Sequence, residues 1–172
     1  MLRQMMLASG MILATGLTSA VSYAADKPSA EIAAAVADAG RPAADKEKDA
    51  NRKPAETLAF AGAKSGQQIV DFLPGSGYFT RIFSKVAGAK GHVTALNPAG
   101  APDKYTAGAK AVAADPAYGN VSAPIENVGA VPAGSVDLFF TAQNYHDLHN
   151  RKDLDVAAFD KAVFAALKPG GI

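Results

Sequence analysis

Cysteine and tryptophan are both missing from this 172-residue chain. Without cysteine there is no disulfide, no thiolate nucleophile and no Cys-ligated zinc or iron–sulfur site. A dominant charge of one sign is missing too. The formal net charge is +1, which gives no electrostatic reason to expect nucleic acid or an anionic membrane as a partner. Histidine is scarce: His92, His146 and His149 restrict any metal site to a small ligand set. After the N-terminus no apolar run is long enough to cross a bilayer. What is present is an ordinary globular composition, 49% hydrophobic and 19% charged, at a length that suggests one domain.

The first residues stand apart. Met1-Leu2-Arg3-Gln4 is a short positive start, and Met5 to Val21 is mostly apolar and small. Ser22-Tyr23-Ala24 then places small residues on either side of Tyr23, as a signal-peptide cleavage site requires, and Ala25-Asp26-Lys27-Pro28 opens a polar segment. Residues 1–24 are therefore expected to be a signal peptide. The mature chain is expected to be exported, periplasmic or extracellular, with no stable membrane association. The alternative is a retained anchor. Ser9, Gly10, Thr15, Gly16, Thr18 and Ser19 interrupt the apolar stretch, and a spanning helix needs about 20 apolar residues.

Residues 25–53 read as a helical N-terminal arm, broken at Gly40-Arg41-Pro42. In its second half Asp45, Lys48, Asp49 and Arg52 recur at helical spacing, which favours ion pairs on a solvated face. Pro54 suits the first turn of a new helix, Ala55 to Ala61, whose Leu58, Ala59 and Phe60 are expected to pack on a core; Gly62 stops it. From there strands and helices alternate across residues 54–172. Gln67 to Leu73 reads as a buried strand, Tyr78 to Val86 as a helix with Phe79, Ile82, Phe83 and Val86 on one face, and His92 to Leu96 as a second strand. Lys104 to Ala114 is an Ala-rich helix, Val121 opens a short third strand, Val136 to Thr141 is the most apolar strand, and Leu154 to Leu167 is the last helix. This alternation predicts an α/β fold, a Rossmann-like parallel sheet with helices on both faces. In such sheets ligands bind outside the carboxyl ends of the strands, where strand order reverses.

The loop after the first strand reads Asp71-Phe72-Leu73-Pro74-Gly75-Ser76-Gly77-Tyr78. Two glycines between a strand and a helix N-terminus let a ligand approach the backbone, and the helix dipole favours a carboxylate or phosphate there. A dinucleotide fingerprint requires a further glycine where Thr80 stands, which argues against a nicotinamide or flavin enzyme. An acid at the end of a first strand followed by this glycine loop resembles motif I of class I S-adenosylmethionine-dependent methyltransferases. Leu96-Asn97-Pro98 falls where that family ends its second strand with a ribose-binding residue, and Lys168-Pro169-Gly170-Gly171 resembles the turn before its fifth strand. The similarity runs from Ala55 to Ile172.

The resemblance implies S-adenosylmethionine as cofactor, held by Asp71, Leu73, Gly75, Ser76, Gly77, Tyr78, Asn97 and Gln143. It also implies departures. Leu73, followed by Pro74, replaces the family's first glycine, and Asn97 replaces its Asp or Glu, removing a charge-assisted bond to the ribose. The family's sheet continues past the point where this sequence reaches Ile172. The fold is thus expected to be incomplete after the fourth strand and its helix, with an open, aggregation-prone edge and low stability.

The loop after the fourth strand, Thr141 to Arg151, is where the family's transferred group leaves. His146 reads as a general base oriented by Asp147 or His149, because imidazole titrates near neutrality, and Asn144 and Tyr145 as groups that position an acceptor. The same side chains also suit a hydrogen-bonded loop capping the following helix. A His/Asp/His metal site is disfavoured, since these neighbouring positions do not easily converge on one ion. Arg41 and Arg52 are surface residues by this reading, or else clamp an acidic group. The leading expectation is a methyltransferase for a small acceptor. The alternative is a non-catalytic periplasmic protein that binds a small ligand on the same fold.

Overall fold

The computed structural model describes residues 27–152 and 154–172; the expected signal peptide lies outside them. The element order is α1 (Ala30–Ala37), α2 (Ala43–Lys46), α3 (Asp49–Arg52), α4 (Pro54–Phe60), β1 (Gln68–Phe72), α5 (Tyr78–Ala87), β2 (His92–Leu96), α6 (Asp103–Ala114), β3 (Val121–Ser122), β4 (Leu138–Phe140), α7 (Tyr145–Leu148) and α8 (Val156–Ala166). The four strands form one sheet in the order β3-β2-β1-β4, and every pairing is parallel. Chain order reverses between β1 and β4, so the crevice at their carboxyl ends is the place for a ligand.

Alternation along each strand divides the core into two. Ile69, Val93, Ala95 and Leu138 face a layer that includes α1, α4, α5 and α6, where Phe83, Ile82 and Val86 of α5 are buried. Val70, Phe72, Leu96 and Phe139 face the other way, toward α8 and the chain around Val128 and Val136. The apolar stripes of α5 and α8 each turn toward the sheet, which is what their helical spacing demands. Burying a side chain of the size of Phe83 contributes roughly 1.5–3 kcal/mol.

Three expectations are corrected. First, Phe60 does not pack on the core: it is 77% exposed. Helix α4 buries Pro54 and Leu58, one turn apart, and a residue two places beyond Leu58 points to the opposite side. Second, the strand foreseen from Val136 to Thr141 is shorter, and Val136 instead bridges to Leu167. Third, the charged half of the arm is not one solvated helix. It breaks at Glu47 and Lys48 into α2 and α3, and both Arg41 and Asp45 are buried.

The outer edge of β4 borders an apolar groove of about 1320 Å³, lined by Phe60, Val86, Leu138, Phe139, Phe140 and Ile172 among others. Along that edge the Phe139 amide donates to the Ile172 carbonyl at 2.7 Å, and the Ile172 amide donates to the Asp137 carbonyl at 3.1 Å. This is the alternating pattern of a parallel neighbour.

Candidate functional site at the carboxyl ends of the strands

The loop between β1 and α5 takes its shape from left-handed residues. Leu73, Gly75 and Gly77 have φ of 58°, 57° and 81°. Leu73 thus adopts the backbone conformation that a glycine adopts without strain. A Cβ on Gly75 would meet nothing within 4 Å, whereas one on Gly77 would stand 2.6 Å from Val112 Cγ2. Gly77 is therefore required for packing against α6, and Gly75 leaves space above the loop. Gly108 of α6 closes in from the side: a Cβ there would lie 2.5 Å from the Gly75 carbonyl oxygen. The amides of Gly75 and Ser76 make no hydrogen bond among the described residues. The first-turn amides of α5 add further free donors.

Asp71 stands under this loop rather than in it. The carboxyl is 3% exposed and accepts a bond from the Thr80 hydroxyl at 2.6 Å. Burial pushes its pKa up to about 7, against the lowering effect of Thr80. The acid therefore braces β1 against the first turn of α5. Thr80, which argues against a dinucleotide fingerprint, is its partner.

The N-terminal arm docks on that same turn. Arg41 donates to both oxygens of Asp49 at 2.8 and 2.7 Å, and to the Val36 carbonyl. The Tyr78 hydroxyl donates to Asp49 at 2.6 Å. Arg41 holds the Asp49 carboxyl below its ordinary value, while burial and Asp49 together push the Tyr78 phenol well up. Arg81 donates at 3.0 Å to Asp45 of α2 and at 2.9 Å to the Ser76 carbonyl, so an arm carboxylate is wired to the glycine loop through one guanidinium. The Arg52 guanidinium lies 4.7 Å from the Tyr78 ring centroid and 5.8 Å from that of Phe79.

Asn97 ends β2 and is 1% exposed. Its backbone extends the ladder, accepting from Glu126 and donating to Pro124. Its side-chain nitrogen is buried without a partner, as is the hydroxyl of Thr141 just past β4. A buried donor left unpaired costs roughly 1–3 kcal/mol, and such orphans mark positions where a polar ligand restores the bond.

In the loop after β4, Gln143 is exposed with φ 61°. Asn144 donates to the Leu73 carbonyl at 3.3 Å, joining this loop to the first. The Tyr145 hydroxyl is turned to α8, where it meets both oxygens of Asp160 at 3.0 and 2.9 Å; that bond raises its pKa. His146 is exposed, with Nε2 at 3.3 Å from Asp147, and His149 packs edge-on to the Tyr145 ring. Asn144 makes no side-chain cap on α7. Among the described residues no group of three or more His, Cys, Asp or Glu side chains is placed to hold a metal ion.

The structure thus brings Leu73, Gly75, Ser76, Gly77 and Asn144 together at the carboxyl ends of β1 and β4. It places Asp71, Tyr78 and Asn97 beneath the surface, and His146 out in solvent. Sequence reasoning missed Arg81, Thr80 and the Asp49–Tyr78 bond. The signal for Arg81 was its position three residues after Tyr78, on one side of α5.

No family model and no curated protein matches the chain. Solved structures do. A SAM-dependent methyltransferase from Aquifex aeolicus is similar over 75% of this chain and 68% of its own length, at 23% identity and a TM-score of 0.58. An arsenic(III) S-adenosylmethionine methyltransferase from Chlamydomonas reinhardtii is similar over 84% of this chain and 47% of its own, at 25% identity and a TM-score of 0.53. The chain therefore spans about two thirds of the one and about half of the other.

Proposed function

The chain has the fold of class I S-adenosylmethionine-dependent methyltransferases, and we propose that it binds S-adenosylmethionine at the carboxyl ends of β1 and β2 to methylate a small acceptor. The observation that carries this reading is the glycine loop: open space above Gly75, two unpaired amides, and the N-terminus of α5 directly behind. The unpaired Asn97 nitrogen supports a polar ligand at the end of β2. When bound, the cofactor supplies a methyl group on a sulfonium, a reaction that needs positioning more than covalent help.

In this proposal the chain's own residues take the following roles. Gly75 and Ser76 hold the ligand through the backbone, and Gly77, whose amide donates to the Pro74 carbonyl, shapes the loop. Asn97 hydrogen-bonds the ribose, with a weaker, neutral group in place of a carboxylate. Asn144 fixes the distance between the two loops, and His146, beside Asp147, takes a proton from the acceptor. Tyr145 keeps α7 against α8. The apolar, interrupted segment ahead of Ala24 makes this an exported protein in the proposal.

A second reading, ligand binding without catalysis, is favoured by Leu73. Its side chain projects from the position where a glycine would leave room, and it is partly buried against the second core. Calorimetry with S-adenosylmethionine and S-adenosylhomocysteine separates the readings from their common failure. No heat at millimolar ligand excludes the cofactor. Binding without any methyl transfer to a panel of small acceptors favours the second reading. Gly75→Asp is expected to abolish binding. No protein atom lies in its way, so the cost to the fold is limited to the strain of a non-glycine residue at φ 57°, roughly 1–2 kcal/mol. Unchanged affinity in a folded variant places the site elsewhere.

A further inference from the structure

Three arginines surround the first turn of α5, and two of them are paired with carboxylates of the arm. Arg41 is consumed by Asp49 and the Val36 carbonyl, and Arg81 by Asp45 and the Ser76 carbonyl. Asp49 and Asp45 are thereby occupied. Arg52 is exposed, and its guanidinium has ring contacts but no carboxylate and no hydrogen-bond acceptor among the described residues. Its platform is rigid: the Tyr78 ring is tethered by its hydroxyl to Asp49, and the Phe79 ring packs edge-on against Phe140 of β4 at 5.0 Å. The contacts from Arg52 through Phe79 to Phe140 therefore place the cation beside the crevice between β1 and β4. A guanidinium stacked on aromatic rings keeps its planar fork of donors free for a carboxylate or phosphate. The dipole of α5 and the unpaired amides of Gly75 and Ser76 act with the same sign. The buried, unpartnered Asn97 nitrogen and Thr141 hydroxyl point independently to a polar ligand at these strand ends.

We infer that Arg52 is the counter-ion for an anionic group, a carboxylate or a phosphate, carried by the ligand of this site. The inference rests on the ligand site proposed above and adds the charge its ligand must bear. The arm is then part of the site. Its buried ion pairs hold Arg52 in place beside α5.

The test is calorimetry on the whole chain and on Arg52→Gln, with three probes. S-adenosylhomocysteine carries a carboxylate, 5′-methylthioadenosine keeps the adenosine and sulfur without it, and adenosine monophosphate carries a phosphate instead. If the anion is a carboxylate, the substitution weakens S-adenosylhomocysteine roughly ten- to hundredfold, the range for a hydrogen bond to a charged group, and leaves 5′-methylthioadenosine unchanged. If it is a phosphate, the loss falls on adenosine monophosphate. Arg52→Lys is expected to recover part of the affinity. Equal weakening of all three probes, or of none, overturns the inference. If neither thioether binds the unaltered chain, the methyltransferase reading fails by itself, and the phosphate arm decides the role of Arg52.

Discussion

At the scale of single residues the glycine loop combines strain with space. A non-glycine residue in the left-handed region costs roughly 1–2 kcal/mol, while glycine costs about 0.5–1 kcal/mol more chain entropy on folding. Leu73→Gly relieves that strain but loses the packing of a partly buried leucine, so it is expected to destabilise the chain by roughly 1–3 kcal/mol in urea melts, yet to tighten S-adenosylhomocysteine several-fold by clearing the loop. An unchanged or weaker affinity shows that Leu73 does not obstruct the ligand. The two glycines that follow are expected to differ. Gly77→Ala drives a methyl into Val112 at a position already restricted to glycine by φ. Its expected cost is roughly 1–3 kcal/mol, more than that of Gly75→Ala. Asp71 supplies a pH test. Its folded pKa, about 7, lies above the ordinary 3.8, so the native state binds the proton more tightly. The resulting stabilisation is complete below about pH 4 and lost as pH rises through 7. Relative to Asp71→Asn, the wild-type melting temperature is expected to fall across that window and level off above it. A constant difference from pH 4 to 7 rules out a buried, protonated Asp71.

At the scale of elements the arm matters most. Arg41 is wholly buried and Asp49 partly so, so removing the cation leaves a carboxylate without its main partner. Arg41→Met is expected to destabilise the chain by roughly 2–3 kcal/mol, below the range of about 3–5 kcal/mol for a fully buried pair because water reaches Asp49. It is also expected to expose α2 and α3 to protease before the sheet unfolds. Simultaneous cleavage throughout the chain counts against a separable arm. The acid side has the opposite sign from Asp71. Asp49 is held below its ordinary value, so its contribution is present above about pH 4 and is lost as pH falls through the lower, folded value.

For the whole molecule the groove beside β4 dominates behaviour in solution. Phe60 and Ile172 expose apolar surface next to a strand whose outer edge is paired only by Ile172 among the described residues. Exposed strand edges and contiguous apolar patches promote association. Sedimentation of the 172-residue chain is expected to show concentration-dependent self-association, reduced by Phe60→Lys. A soluble monomer with a cooperative melt at every concentration refutes this.

The periodicity of the chain is enough to determine the α/β class, the limits of β2 and the stripe of α5, because strand alternation and helical spacing are local properties. Gly75 and Gly77 were legible for the same reason: a turn between strand and helix needs residues that accept positive φ. Tertiary structure alone decided how the charges are used. Asp45, Lys48, Asp49 and Arg52 have the spacing of a solvated face, and no local rule distinguishes such a face from one docked on α5. The partner of a charge across a fold depends on which distant residue arrives, here the Arg81 guanidinium for Asp45 and the Tyr78 hydroxyl for Asp49. The burial of Asn97, the turn of Tyr145 toward Asp160 and the exposure of Phe60 were decided likewise by packing between elements far apart in the chain.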